Sequence, residues 1–481
     1  MTLTNNFTRL LHTRLWEPRS FPKIANIAGA GVTTQKSRLS DQFVYLIRAT
    51  TTADIYDTFG DAWGTLGSPS LATFGAGTCS EHMPMGPAGN ATGGSSSTVA
   101  TSLNIPIDLR GYKIRITAGP GAGDERTILS NTIGATSVIT VDSNFSAAIT
   151  SSSSFQLITG SWWLFGGGTL ASGSFKVFDY ATQTWTNKSI TGLPASFGTD
   201  GCLVGTPSIV DNGVVTAFAT GTATGGTVST ISNAGKNWAT NQWANAFQVR
   251  ITGGTGAGQV RRIASNTATD ITVTSNWTTN PDSTSTYSIE GDDDSLYLLG
   301  AGAVTMYRYS ISGNSWSTIS PTSARGAATS TGMSASWIAT HPAADWTTEN
   351  NIKNGRRIYS FRGGGSTALD YFDIPTQAWS STIITYPMSI TPTTGWKFLA
   401  IDGKIYIRET GTGLTANTVY VYDPATGIIN GINSLPMLCS TSAVGSTMFQ
   451  ATLTAGGTTI KWLYVFIDHG VQSSLFRFQV V

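Results

Sequence analysis

One pattern recurs along this chain and constrains it more than any other feature. An apolar strand runs into a glycine-rich turn, then an aromatic-rich strand ending near Asp-x-x-Thr, then a tryptophan. It reads WWLFGGGTLASGSFKVFDYATQTW at 162–185, LYLLGAGAVTMYRYSISGNSW at 296–316, IYSFRGGGSTALDYFDIPTQAW at 358–379 and IYIRETGTGLTANTVYVYDPATGI at 405–428. Weaker copies at 44–63 and 463–481 bring the number of units to six. The first strand is apolar on both faces, so a single unit cannot bury itself and must stack between neighbours. The glycines supply backbone of positive φ and let adjacent sheets approach closely. The Asp or Thr of the turn bonds the backbone, and the tryptophan opens an outer strand that packs between sheets. Helical periodicity is scarce, and short apolar runs punctuated by Gly, Ser, Thr, Asn and Asp indicate an all-β fold.

The units resemble the kelch family of β-propellers. The residues carrying the resemblance are Gly166, Gly167, Tyr180 and Trp185 in one copy, Gly363, Gly364, Tyr371 and Trp379 in another, and Trp316 in a third, where Ala301 interrupts the glycine pair. The resemblance implies a six-bladed propeller. The last unit stops at FRFQVV without an outer strand, whereas Thr13-Arg-Leu-Trp-Glu-Pro18 carries a tryptophan of the outer-strand kind. Open sheet edges invite aggregation, so an extended N-terminal arm is expected to close the ring with residues around 10–18. The expected division is 1–40 for the arm, 41–92 for the first blade, 93–160 for one insert, 161–222 for propeller, 223–291 for a second insert and 292–481 for the remaining blades.

The two inserts match each other. GYKIRITAGPGAGDERTILSNT at 111–132 and AFQVRITGGTGAGQVRRIASNT at 246–267 agree at 12 of 22 positions without a gap. Each continues through an apolar strand and an aromatic (Phe145, Trp277) to a last strand, which suggests a β-module of four or five strands. Both are expected to follow a blade's innermost strand, around 69–77 and 203–219, and so to emerge from one propeller face. The GxGAG at 119–123 and 254–258 could cradle phosphate, but alternating strand residues follow it instead of the helix such a site needs, so it reads as a hairpin turn. Arg115, Arg126, Arg250 and Arg261 recur at matching positions. They are candidates either to hold a partner's carboxylates or to lay their stems over apolar strands. With Trp243 and Trp277 they form the candidate interface. The modules resemble a short β-module of bacteriophage structural and tail-associated proteins with the pattern V-R-I-x-x-G-x-G-A-G-Q-x-R-x-I-x-x-N-T. The lead Asn237-Trp-Ala-Thr-Asn-Gln-Trp243 belongs to that resemblance; Leu103-Asn-Ile-Pro-Ile-Asp-Leu109 replaces it in the first copy.

Catalytic chemistry finds little footing. The four histidines (His12, His82, His341, His469) lie far apart with no metal-ligand spacing, and no nucleophile elbow is present. Cys79, Cys202 and Cys439 are odd in number and read as buried thiols. The run Glu290-Gly-Asp-Asp-Asp294 reads as a solvated loop opening a blade, with Ca²⁺ binding as the alternative. Ile231-Ser-Asn-Ala-Gly-Lys-Asn-Trp238 shares only the Gly and Trp spacing of the sialidase box, and no ligand set of a kelch-type copper oxidase aligns. No catalytic residue, cofactor or metal is assigned.

The resemblance of the modules implies a non-enzymatic structural component of a bacteriophage virion, tail-associated (nozzle- or hub-like) or a head–tail appendage. It would be present in multiple copies or as a homo-oligomeric ring and contact other tail or capsid proteins. The chain shows no apolar signal segment and no run of about 18 apolar residues, so synthesis in the host cytoplasm and no membrane partner are expected. Its 28 basic and 27 acidic residues leave a net charge of +1, which argues against a general nucleic-acid binder. Only 11% of residues are charged, a surface economy suited to a protein packed in an assembly. The alternative is a host-glycan-binding adhesin with Trp243 and Trp277 as exposed stacking platforms. A kelch-type oxidase or sialidase-like enzyme stands behind both.

Overall fold

The computed structural model describes residues 17–19, 33–75, 77–198, 201–211, 213–300, 304–326, 335–337, 357–363, 366–380, 384–385, 397–408, 419–423, 426–432, 447–455, 458–468 and 473–480. Six antiparallel blades account for the repeats. Blade 1 is the meander Thr33–Lys36, Phe43–Ala49, Thr52–Asp57 and Ala62–Leu66. Blade 2 joins Cys79–Met83 to Ser161–Phe165, Phe175–Asp179 and Thr184–Asn187, and blade 3 joins Cys202–Gly205 to Ser295–Leu299, Met306–Ser310 and Ser315–Ile319. Blade 4 contains Ala335–Trp337, Arg357–Gly363, Ser366–Asp373 and Ala378–Trp379; blade 5 contains Lys397–Ile401, Lys404–Arg408, Val419–Asp423 and Ile428–Ile432. Blade 6 is Thr447–Ala455, Thr458–Asp468 and Ser473–Val480 with Glu17–Arg19 as its outermost strand. The six first strands adjoin one another in order, and that of blade 6 returns to that of blade 1. Their hydroxyls meet at this closure, where Thr34 Oγ1 lies 2.8 Å from Thr447 Oγ1.

The ring closes through Glu17–Arg19, at the end of the expected segment 10–18, whose residues 10–16, Trp16 among them, lie outside the described residues. Glu17 faces Arg477, Pro18 faces Phe476 and Arg19 faces Leu475. Pro18 is tolerated because its strand is the sheet edge. Glu17 binds the Arg477 guanidinium at 2.7 Å, and Arg19 reaches Asp61 of blade 1 at 3.2 Å, tying the last blade to the first.

The repeat residues hold neighbouring blades together. A Cβ on Gly166 would lie 2.3 Å from the Thr73 carbonyl oxygen, and one on Gly167 (φ +63°) 2.5 Å from the Gly77 carbonyl carbon, so the connection 73–77 fits only against glycine. Trp185 donates its indole N–H to the Gly67 carbonyl at 2.8 Å, and Trp316 donates to the Ser189 carbonyl at 2.9 Å. In both cases the outer-strand tryptophan staples the chain leaving the preceding blade. Trp379 is buried beneath the Arg325 guanidinium, 4.6 Å from its ring centroid. Gly363 ends a strand by pairing with Ser366; Gly364, Ala301, Cys439, His12, His341 and His469 lie outside the described residues. Cys79 and Cys202 are buried, as the sequence suggests.

Module 1 is a closed barrel of six strands and module 2 a barrel-like sheet of seven in the same order, where four or five strands were expected. In module 1 the closed order is Glu125–Asn131, Ser137–Val141, Thr98–Thr101, Ala88–Gly94, Ser154–Ile158, Lys113–Ala118. Module 2 follows the same order through Val260–Asn266, Asp270–Val273, Thr230–Ser232, Gly225–Gly226, Ala219–Thr222, Thr286–Gly291 and Phe247–Gly253. Its first strand is split at Ala223-Thr224. The module strands include those from 88–101 and 219–232, where the two copies share G-x-A-T-G-G-x-x-S-T at 89–98 and 221–230. Each barrel interrupts a blade between its first and second strands. Those first strands are Cys79–Met83 and Cys202–Gly205, so the expected segment at 69–77 proves to be the connection from blade 1. The GxGAG segments are hairpin turns, with Gly119, Gly121 and Gly123 at φ +73°, +80° and +97° and Gly254, Gly256 and Gly258 at +71°, +80° and +90°. Ile114, Ile116, Ile128 and Leu157 fill one barrel; Val249, Ile251, Ile263 and Ile289 fill the other.

Candidate functional site

The shared module pattern is explained by contacts inside each barrel. Asn131 Oδ1 accepts from the Leu109 N–H at 2.7 Å while its amide donates to the Ile107 carbonyl at 3.0 Å. Asn266 takes the matching partners, the Trp243 N–H at 2.7 Å and the Ala239 carbonyl at 2.9 Å. Asp124 accepts from the Ser146 N–H at 2.6 Å, and Gln259 accepts from the Thr278 N–H at 2.8 Å. Arg126 donates to the Asn144 carbonyl and lies 5.8 Å from the Phe145 centroid; Arg261 donates to the Asn276 carbonyl and lies 5.6 Å from that of Trp277.

These contacts correct the candidate interface. Trp243 is 2% exposed because it occupies the barrel-plug position that Leu109 fills in module 1, and Trp277, 3% exposed, is capped by Arg261. Neither offers a face to a sugar. Arg126 and Arg261 stay on their own modules, whereas Arg115 and Arg250 are brought together by a carboxylate of this chain. Glu125 binds Arg115 Nη2 at 3.0 Å and Arg250 Nη1 at 3.2 Å, and Arg250 Nε continues to Glu290 at 3.0 Å. Burial alone would raise the Glu125 carboxyl, but Arg115, Arg250 and Lys113 outweigh it and hold the group at about 2. The two GxGAG turns meet beside this bridge: a Cβ on Gly123 would lie 2.9 Å from Gln259 Cγ, and one on Gly258 3.1 Å from the Gly123 oxygen. Equivalent turns therefore face each other, and the modules form one double barrel. Sequence reasoning missed Glu125. Its signal was the acid-for-aliphatic difference Glu125/Val260 within otherwise matching segments.

The acidic run 290–294 is a buried root joining module 2 to blade 3, which corrects the solvated-loop reading. Asp292 accepts from Ser295 and Thr206, Asp293 (φ +55°) accepts from the Ser208 N–H at 2.6 Å, and Asp294 binds Arg262 at 2.6 Å. Burial pushes the Asp293 carboxyl up to about 6 against the hydrogen bonds from Ser208. These oxygens are committed to donors of the chain. Among the described residues no group of three or more His, Cys, Asp or Glu is placed to hold a metal ion.

Between the double barrel and blades 2 and 3 lies a cleft of about 1070 Å³. Blade 2 contributes the face bearing Asp179, Thr184, Thr186 and Lys188; module 2 contributes Arg261 and the segment 274–276. Asp179 sits in the turn of the repeat, where it accepts from the Thr182 N–H at 3.1 Å, and burial pushes its carboxyl up to about 6. Lys188 Nζ stands 5.5 Å from the centroid of the buried Trp163 ring. Burial lowers the pKa of this ammonium, and the Asp179 charge partly restores it. A concave site with a few converging polar groups and shifted carboxyls is where ligand binding is first sought.

No protein-family model and no curated protein matches the sequence. Among solved structures, the chain is similar to YjhT, with 14% identity and a TM-score of 0.24, covering 40% of this chain and 63% of that one. It thus spans less than two thirds of that protein. It is also similar to a phage phi92 endosialidase (10% identity, TM-score 0.36, 98% and 70% covered). A GH74 xyloglucanase from Xanthomonas campestris matches with 12% identity, a TM-score of 0.31, and 96% and 46% covered. Likeness this distant carries no substrate or activity across, and the propeller assignment stands on the strand pairings themselves.

Proposed function

We propose that the protein is a non-enzymatic structural component of a bacteriophage virion, tail-associated or a head–tail appendage, present in multiple copies. The propeller serves as a rigid platform and the double barrel docks neighbouring subunits. The module pattern resembles that of phage structural proteins, and its characteristic residues fold the barrel or, for Arg115 and Arg250, join the two modules, so the pattern marks a building unit and not a chemistry.

The observation that carries the docking reading is a difference between the copies. Leu129, Ile133 and Val138 stand 51%, 65% and 40% exposed along the outer hairpin of module 1. At the matching places module 2 has Ala264, Ala268 and Asp270. Three exposed aliphatics retained on one copy alone suit a surface that is covered in an assembly. Mass spectrometry of purified particles is expected to find the chain as a stoichiometric component. Abundance in infected cells with absence from particles overturns the reading.

A further inference from the structure

We propose that the cleft between the double barrel and blades 2 and 3 binds an acidic oligosaccharide, its carboxylate set on Lys188 and its hydroxyls on Thr184, Thr186 and Asn276. The inference goes beyond the structural role and does not depend on the protein's place in a particle.

The first argument is charge. Arg115 is held by Glu125, Arg262 by Asp294, and Arg261 by the Asn276 carbonyl and the Thr278 hydroxyl. Lys188 differs: among the described residues its ammonium makes no ion pair and rests over the Trp163 ring. Asp179, the carboxylate nearest in charge to it, is anchored in its own turn by the Thr182 N–H. A half-buried cation without a contacting counter-charge favours an anionic ligand group in the cleft.

The second argument is pattern. Thr184 and Thr186 alternate along the outer strand of blade 2, Lys188 follows directly after its end, and all three line the cleft, with polar groups repeating at about 7 Å. Thr184 and Thr186 are exposed, as are Thr274, Ser275 and Asn276 on the facing wall of module 2. A row of hydroxyls, one amide and one ammonium complements a chain of hydroxylated units carrying a carboxylate. The volume lies at the upper end of small-molecule pockets, roughly 300–1,000 Å³, which suits an oligomer better than a single sugar. The Trp163 face is covered, so recognition runs through hydrogen bonds and charge rather than stacking.

The third argument is rigidity. The Arg115–Glu125–Arg250–Glu290 bridge and the facing glycine turns fix the two modules to each other, and Asp292, Asp293 and Asp294 root module 2 in blade 3 through Thr206, Ser208 and Ser310. A preformed cleft loses little entropy on binding.

The test is calorimetric titration of the full chain with a tri-uronate oligosaccharide, its carboxyl-reduced neutral counterpart and a short single-stranded oligonucleotide. The uronate is expected to bind. Lys188→Ala and carboxyl reduction should each weaken binding about tenfold or more, Lys188→Arg should stay within about threefold, and Lys404→Ala, on blade 5, should change nothing. Thr186→Trp should block the cleft, and if that variant misfolds, Lys188→Ala with an unchanged melting curve decides. No uronate binding at millimolar concentration, binding indifferent to Lys188→Ala, or equal affinity for the oligonucleotide each overturns the proposal.

Discussion

The two modules are one fold written twice. They share the strand order, the asparagine anchor, the arginine over an aromatic and the three-glycine turn. They differ in what they show the outside. Module 1 keeps Leu129, Ile133 and Val138 exposed and supplies Glu125. Module 2 has alanines and an aspartate at the first set of positions, and roots itself in blade 3 through three buried aspartates. The interior of a barrel leaves few solutions once its turns are set, so it is held constant. The outer surface carries no such constraint and diverges: exposed aliphatics on module 1, a buried acidic root into the chain's own propeller on module 2.

That contrast can be broken at several points. The largest effect is expected from emptying the plug position. Trp243→Ala should cost about 3–5 kcal/mol and Leu109→Ala about 2–5 kcal/mol in denaturant unfolding. If Trp243→Ala proved nearly silent, the plug equivalence would fail. Next come the anchors: Asn131→Ala and Asn266→Ala should each cost about 1–3 kcal/mol, and by similar amounts, since each leaves the same buried backbone groups unpaired. A large inequality between them would show that the copies are not held alike.

Removing the carboxylate between the modules should have a comparable effect, about 2 kcal/mol for Glu125→Gln, because its arginines keep some access to water. The folded-state pKa of Glu125 is depressed, so its contribution is fully present above the ordinary carboxylate value and is lost as pH falls toward about 2. Glu125→Gln should flatten acid unfolding in that window, and unaltered acid unfolding would remove the bridge from the account. Asp293 works in the opposite sense. Its folded-state pKa is raised to about 6 from the ordinary aspartate value of 3.8, so the native state gains stability as pH falls through that interval and loses it as pH rises. Asp293→Asn should abolish this slope in melting temperature between those pH values. The smallest effect on stability is expected from Leu129→Ser, Ile133→Ser and Val138→Ser together, within about 0.5 kcal/mol per site. The same triple variant should fail to enter particles, and normal incorporation would move the docking surface elsewhere.

Much of this architecture is legible in the sequence, for local reasons. Gly166-Gly167 and the Trp185 and Trp316 positions repeat because each blade must pass the same close contact, so pattern alone yields six blades. The missing outer strand after Ser473–Val480 and the spare tryptophan near Glu17 foretell the closure. The glycine turns are readable as turns because strand residues follow them. What stays hidden depends on contacts distant in sequence. Nothing local says that Trp243 points inward, that Arg115 and Arg250 share Glu125, or that Asp292, Asp293 and Asp294 face Thr206, Ser208 and Arg262 instead of water. The first strands of the modules are legible only in their shared G-x-A-T-G-G-x-x-S-T at 89–98 and 221–230, whose small residues read as a linker and not as strands.

The placement of the barrels also sets an order of events. Cys79–Met83 pairs with Ser161–Phe165, and residues 84–160 lie between them; Cys202–Gly205 waits likewise for Ser295–Leu299 across residues 206–294. Joining strands across so long a loop is slow while the loop is a coil, and becomes nearly local once a folded barrel holds its two ends side by side. Blades 2 and 3 are thus completed after their barrels, and the clasp of Glu17–Arg19 on the last strand follows synthesis of the C-terminus. The ring therefore cannot shut before Ser473–Val480 is made, because Glu17–Arg19 has that strand as its pairing partner.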